Sequence, residues 1–156
     1  MSDALSPAGG TVPTGTVVVS ESGNGVLEQR LLDGRHVLVA DEPPAIGGGD
    51  AGPNPYELLL MSLGACTSMT LRLYAKRRAW PLSHITVRLR HGRIHAEDCA
   101  ECETKAGFVD RIEREIVLEG PLEAEQRKRL MEIAEMCPIH RTLTSEISIV
   151  TRTVAA

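Results

Sequence analysis

Cys66 lies within a long apolar run, in Leu63-Gly64-Ala65-Cys66-Thr67, and a second cysteine closes a later helical segment in Cys137-Pro138-Ile139-His140. Two thiols placed this way suggest peroxide chemistry. A thiolate attacks a peroxide oxygen and becomes a sulfenic acid, and a second thiol that reaches it condenses to a disulfide and prevents over-oxidation. That half-cycle needs neither a metal nor an organic cofactor. The residues alone leave the role of Cys66 open, because a cysteine in a helix is more often a small buried hydrophobe than a nucleophile.

A second group of candidate residues is His95, Asp98, Cys99 and Cys102, with His91 four positions earlier. Cys-x2-Cys in a turn between strands is a familiar half-site for zinc, since neighbouring thiolates can share one tetrahedral ion. A complete structural site needs four ligands, and no second Cys-x2-Cys exists in the chain. Metal binding by His95, Cys99 and Cys102, a surface dithiol that forms a disulfide, and no chemistry at all remain three open readings. His140, just after Cys137, could poise that thiol, or it could cap a helix end. Lys105, Arg111 and Arg114 fall among acidic residues and read as solvated strand faces.

These residues need elements to hold them. Residues 1–14 read as a flexible tail, and 15–156 as one domain. Strands are expected at Thr16–Glu21, Val26–Leu32 and Arg35–Asp41, joined by Ser22-Gly23-Asn24-Gly25 and Asp33-Gly34 turns into an antiparallel meander. The Pro- and Gly-rich stretch 42–53 is a loop. Asn54 as N-cap, Pro55 at the first helical position and Glu57 in capping-box position start a helix that should run to about Arg78, where Trp80-Pro81 stops it. This helix is apolar on nearly every face, which predicts burial on all sides and hence a partner subunit. Alternation predicts strands at Ile85–His95 and Phe108–Glu119, a second helix at about Glu123–Met136, and a last strand at Leu143–Thr153. The order βββ-α-ββ-α-β is that of an α+β fold with antiparallel sheets.

Composition narrows the function classes. The chain has 156 residues, enough for one domain, and 42% of them are hydrophobic, with one Phe, two Tyr and one Trp, so the core is aliphatic. A net charge of −4 gives no reason to expect nucleic acid, which is bound through clustered Lys and Arg. No stretch is expected to reach the length of about 20 apolar residues that spans a bilayer, and the first residues lack a leader pattern. The expectation is a cytoplasmic protein with no membrane partner, in which four cysteines point to catalysis or metal binding.

The segment Gly47-Gly48-Gly49-Asp50-Ala51-Gly52-Pro53-Asn54-Pro55-Tyr56-Glu57 leading to Cys66, followed by Cys137-Pro138 after an acidic amphipathic helix, resembles the OsmC/Ohr family of osmotically inducible and organic-hydroperoxide-resistance proteins. The resemblance runs from about Gly15 to Thr153. It implies an intertwined homodimer with the site at the interface, no required cofactor, an organic hydroperoxide substrate, and a dithiol reductant, of which a lipoyl-type dithiol is one candidate. It also implies that Cys66 is the nucleophile and Cys137 the resolving thiol.

Ohr-type sites add an arginine from the meander and a glutamate from the first helical turn. Here Tyr56 stands at the glutamate position and Glu57 comes next. Glu57 and Cys66 are separated by about 900° of helix and about 13 Å along its axis, which puts them on opposite faces. Glu57 could therefore serve only across an interface, or act as a cap. Arg30, or Arg35 beside it, is available for the arginine. The leading expectation is a thiol peroxidase using Cys66, Cys137, Arg30 and Glu57. The alternatives are a metal-binding or redox-sensing protein built on His95, Cys99 and Cys102, with zinc at the 95–102 loop, and a carrier of apolar ligands that does not turn over.

Overall fold

The computed structural model describes residues 12–154. Most of the expected tail, residues 1–11, lies outside the described residues. Internal contacts divide the chain into two compact units, with the division in sequence between Leu58 and Leu59.

The first unit is a meander and the loop that follows it. Strands β1 (Val18–Glu21), β2 (Gln29–Leu32) and β3 (Val37–Ala40) pair antiparallel in the order β1-β2-β3, with Val19 opposite Leu31 and Arg30 opposite Val39. They match the expected strands, shortened at their ends. The loop after β3 is organised by one carboxylate. Asp41 is 3% exposed and accepts from the amides of Glu42 at 2.8 Å, Gly49 at 2.9 Å and Ala51 at 3.2 Å. Backbone runs so close to β3 here that a side chain on Gly52 would place its Cβ 2.2 Å from the Val39 carbonyl oxygen. Only glycine allows that approach. The loop thereby delivers Asn54 to the start of helix α1 (Pro55–Arg77), where Asn54 Oδ1 accepts from the Glu57 amide at 2.9 Å and Glu57 Oε2 accepts from the Asn54 amide at 2.8 Å. This is the reciprocal capping box that the sequence predicts.

The second unit contains the rest of α1. It also holds a long hairpin, β4 (His84–His95) and β5 (Phe108–Glu119), and two further helices, α2 (Ala124–Ala134) and α3 (Pro138–Leu143). The hairpin strands pair antiparallel along their whole length, with Leu89 opposite Arg114. Helix α1 presses one stripe into this unit: Leu63, Gly64, Thr67, Leu71 and Ala75 are its buried residues, spaced at about one helical turn. Gly64 lets the Leu89 side chain of β4 come within 2.8 Å of where a Cβ would stand. Below it, Leu71 and Ala75 join Leu82, Leu122, Leu130, Ile133 and Ala134 in the core. Leu71 and Leu130 have no exposed surface, and burying each contributes about 1.5–3 kcal/mol.

Within the single chain α1 is buried on one stripe, while Met61, Met69 and Leu73 are more than half exposed, so burial of its other faces would have to come from a partner subunit. Two expectations change. First, α1 has 23 residues and by length and composition alone could cross a bilayer, which corrects the expectation that no stretch reaches that length. Its stripe instead packs into a protein core. Second, residues 144–154 form no strand. They pair with none of the strands described, and Ile149 and Val150 stay mostly exposed. The α+β class and the antiparallel sheets are as expected.

Candidate active site around Cys66 and Cys137

Cys66 and Cys137 both carry free thiols; the first is half-buried and the second has no exposed surface. The two are brought together: Thr67, the residue after Cys66, reaches the Cys137 sulfur, and the Cys66 thiol is close enough to help lower the Cys137 pKa. Cys137 occupies the short joint between α2 and α3, where it caps α3 and its sulfur accepts from the His140 amide at 3.4 Å. Pro138 follows at the first helical position, where its missing N–H costs nothing.

Thr67, one residue after Cys66, faces Cys137. Its Oγ1 lies 3.6 Å from the Cys137 sulfur and 2.8 Å from the Leu63 carbonyl oxygen. The same Oγ1 accepts from the Arg114 guanidinium at 2.9 Å. Arg114 also donates to the Ala134 carbonyl at 3.3 Å and to Glu135 Oε1 at 2.8 Å. Glu135 Oε2 lies 3.2 Å from His140 Nε2, and the His140 amide returns to the Cys137 sulfur. The contacts close a ring: Cys137, Thr67, Arg114, Glu135, His140 and back to Cys137.

Members of this ring, together with Cys66 and Ile139, act on the buried thiol. Burial pushes the Cys137 thiol up, but hydrogen bonds from the His140 amide, the Thr67 hydroxyl, the Cys66 thiol and the Ile139 amide outweigh it, and the net shift is below the ordinary thiol value. Thiolate is the nucleophilic form. A cleft of about 380 Å³ lies against the ring. Leu63, Ile112 and Leu143 form its apolar side, and Asp110, Arg114, Glu135 and His140 its charged side.

Arg114 was expected on a solvated face, and the structure corrects this: its side chain is 9% exposed. The signal was present in the alternation of β5. Ile112, Ile116 and Leu118 point inward, and Arg114 shares their parity, so a period of two places it inside with them. Its neighbour Arg111 does lie on the exposed face, 3.7 Å from Glu113.

The other candidates have different surroundings. Glu57 spends its carboxylate on the Asn54 amide. Arg30 sits on β2 of the first unit, beside Val18, Ser20 and Val37. Cys99 and Cys102 are bonded to each other in a disulfide, so neither sulfur is a thiolate that could ligate zinc. The His95 ring packs against Phe108, with centroids 4.3 Å apart. No group of three or more possible metal ligands occurs among the described residues. Of the three readings of this loop, the geometry supports the surface disulfide.

Comparison with known proteins adds the relationship. Residues 47–152 match the family model described as OsmC-like protein. No curated protein matches the sequence. Among solved structures, the fold is similar to the OsmC-like protein of Mycoplasma pneumoniae, with 21% identity, a TM-score of 0.61, and coverage of 82% of this chain and 84% of that one. It is also similar to the organic hydroperoxide resistance protein OsmC of Legionella pneumophila, with 21% identity, a TM-score of 0.58, and coverage of 83% and 88%. The organic hydroperoxide resistance protein OhrB of Bacillus subtilis has 21% identity, a TM-score of 0.57, and coverage of 83% and 90%. At such identities the structures share a fold. The family model covers more than half of the chain, from the glycine run before Asn54 to the segment beyond Cys137-Pro138, and on that match the chain belongs to the OsmC-like protein family.

Proposed function

We propose that the protein is a thiol-dependent peroxidase that reduces organic hydroperoxides to alcohols. The observation that carries this reading is the pair of free thiols, half-buried Cys66 and buried Cys137, brought together through Thr67, with the Cys137 thiol held below its ordinary pKa. Cys66 thiolate attacks the distal peroxide oxygen, the O–O bond breaks, and the alkoxide leaves and takes a proton to become the alcohol. Cys137 thiolate then attacks the Cys66 sulfur. The S–O bond breaks, hydroxide leaves as water, and a disulfide remains. A dithiol reductant restores both thiols by two exchanges and is itself oxidised to a disulfide. The apolar side of the cleft, from Leu63, Ile112 and Leu143, favours a substrate with an organic group over hydrogen peroxide.

The relatives named for organic hydroperoxide resistance support this chemistry by analogy of fold. We place the working form as a homodimer, with the exposed apolar residues of α1 covered by a second copy. Arg30 and Glu57 belong to the first unit; their part in such a dimer is an arginine and a carboxylate supplied across the interface. The Cys99–Cys102 disulfide favours a second reading, a redox-responsive loop on the hairpin tip.

The deciding experiment measures consumption of an organic hydroperoxide with a dithiol donor, for the parent and Cys66→Ser. Consumption that falls to the protein-free rate in Cys66→Ser supports the peroxidase. Equal consumption by both would remove Cys66 from the reaction and shift attention to Cys99 and Cys102.

A further inference from the structure

We propose that Arg114 is the positioning residue of this site: its guanidinium fixes the Thr67 hydroxyl against the Cys137 sulfur, so that negative charge on that sulfur is stabilised through Thr67. The cation comes from β5 in the second unit, whereas the resemblance would place it on the meander. The proposal rests on the dithiol reading of Cys66 and Cys137, but its physical content is independent of any peroxide.

The hydroxyl of Thr67 has one proton and two acceptors within reach, the Leu63 carbonyl at 2.8 Å and the Cys137 sulfur at 3.6 Å. While Cys137 is a neutral thiol, the carbonyl is the better acceptor, and the bond is the ordinary one from a helical threonine back to the preceding turn. When the sulfur becomes a thiolate, an anion competes with a neutral carbonyl, and the charge-assisted bond is the stronger. The proton then turns toward sulfur. Arg114 makes this possible because it donates to the oxygen of Thr67: it holds that oxygen in place and, by withdrawing electron density, makes the hydroxyl a stronger donor.

Each side of the arrangement is secured. Arg114 cannot swing away, since the Ala134 carbonyl and Glu135 hold its other donors. A planar fork that reaches three acceptors at once is a task for arginine, and lysine would keep the charge but lose the geometry. The charged and titratable groups around Cys137 are Cys66 from α1, Arg114 from β5, Glu135 at the end of α2 and His140 on α3. Glu135 sits between Arg114 and His140, its two oxygens 2.8 Å and 3.2 Å from their nitrogens. In the reaction, a Cys137 thiolate forms the S–S bond as the Cys66 S–O bond breaks and hydroxide departs as water; the step needs the anion that Thr67 and Arg114 maintain.

The test titrates Cys137 by ultraviolet thiolate absorbance in a Cys66→Ser background with the Cys99–Cys102 disulfide intact, so that one thiol ionises. Arg114→Gln and Thr67→Val should each raise the midpoint by about one pH unit or more. Combined, they should raise it no further than the larger single effect, because Arg114 acts through Thr67. Thr67→Ser should keep the parent midpoint. Arg114→Lys should be intermediate and carries the test if Arg114→Gln does not fold, since a charge without the fork must still lose part of the shift. An unmoved midpoint in Arg114→Gln or Arg114→Lys overturns the proposal, as do single effects that add in full. Peroxide never enters the titration, so a parent protein without peroxidase activity and an unmoved midpoint are separate, distinguishable results.

Discussion

The Thr67 hydroxyl oxygen stands 3.6 Å from the Cys137 sulfur, across 70 positions of sequence. That single approach joins the middle of α1 to the joint after α2, and it puts Cys66, the neighbour of Thr67, beside the other free thiol. A dithiol pair so assembled should close. After treatment with stoichiometric organic hydroperoxide, peptide mapping should recover a Cys66–Cys137 disulfide. In Cys137→Ser the sulfenic acid has no partner, so mass spectrometry should find sulfinic and sulfonic acid on Cys66 and activity lost within a few turnovers.

The loop cysteines should be separable from turnover. Cys99 and Cys102 bridge each other at the hairpin tip, six or more residues along β5 from Arg114. Replacing both with serine should leave the peroxidase rate within about a factor of two. A loss as complete as that of Cys66→Ser, in protein that still folds, would make the tip part of the electron path.

The exposed side of α1 should be an interface. Met69 is 66% exposed and Leu73 55%, one helical turn apart on a helix that offers no charge between Glu57 and Arg72. Burying such a side against a second copy recovers hydrophobic energy that a lone chain leaves in water. Light scattering should find a dimer at micromolar concentration, and Met69→Glu with Leu73→Glu should weaken it at least about tenfold.

The loop before α1 should be sensitive to acid through Asp41. Burial pushes its carboxyl up, but the Ala51, Glu42 and Gly49 amides outweigh it and hold it below the ordinary value of 3.8. A carboxyl depressed in the folded state contributes stability that is present in full above its unfolded value and is lost as pH falls through the folded one. The melting temperature of the parent should therefore drop as pH falls below about 4. Asp41→Asn should be less stable than the parent at neutral pH and should lose less on acidification.

Much of the frame is legible in the residues. The cap at Asn54 and Glu57, the stop after Arg77, and the alternation of the two hairpin strands are local signals, and local physics decides them. The pairing of Cys66 with Cys137 came through resemblance, since no periodicity links two helices so far apart. Arg114 reads as solvated from its acidic neighbours Glu113 and Glu115, although its parity with Ile112 and Ile116 points inward. Glu135 and His140 are surface-type residues whose meeting depends on how α2 hands over to α3, and no pattern in the chain announces that angle. The expected last strand at 143–153 has the right residues, but a strand needs a neighbouring edge, and sequence composition does not say whether one exists.

Cys137 is held on unequal supports. Before it, α2 is anchored by Leu130, Ile133 and Ala134 in the core; after it, α3 has six residues and none of them buried. Segments with few buried contacts open at low free energy while core helices open only with the whole fold. The side of the site that carries Thr67 and Cys66 is thus expected to open only with the whole fold, and the side that carries His140 at lower cost. In the peroxidase proposed above, the α3 side is the one that can yield to admit a substrate, which reconciles a fully enclosed Cys137 sulfur with a reaction at Cys66.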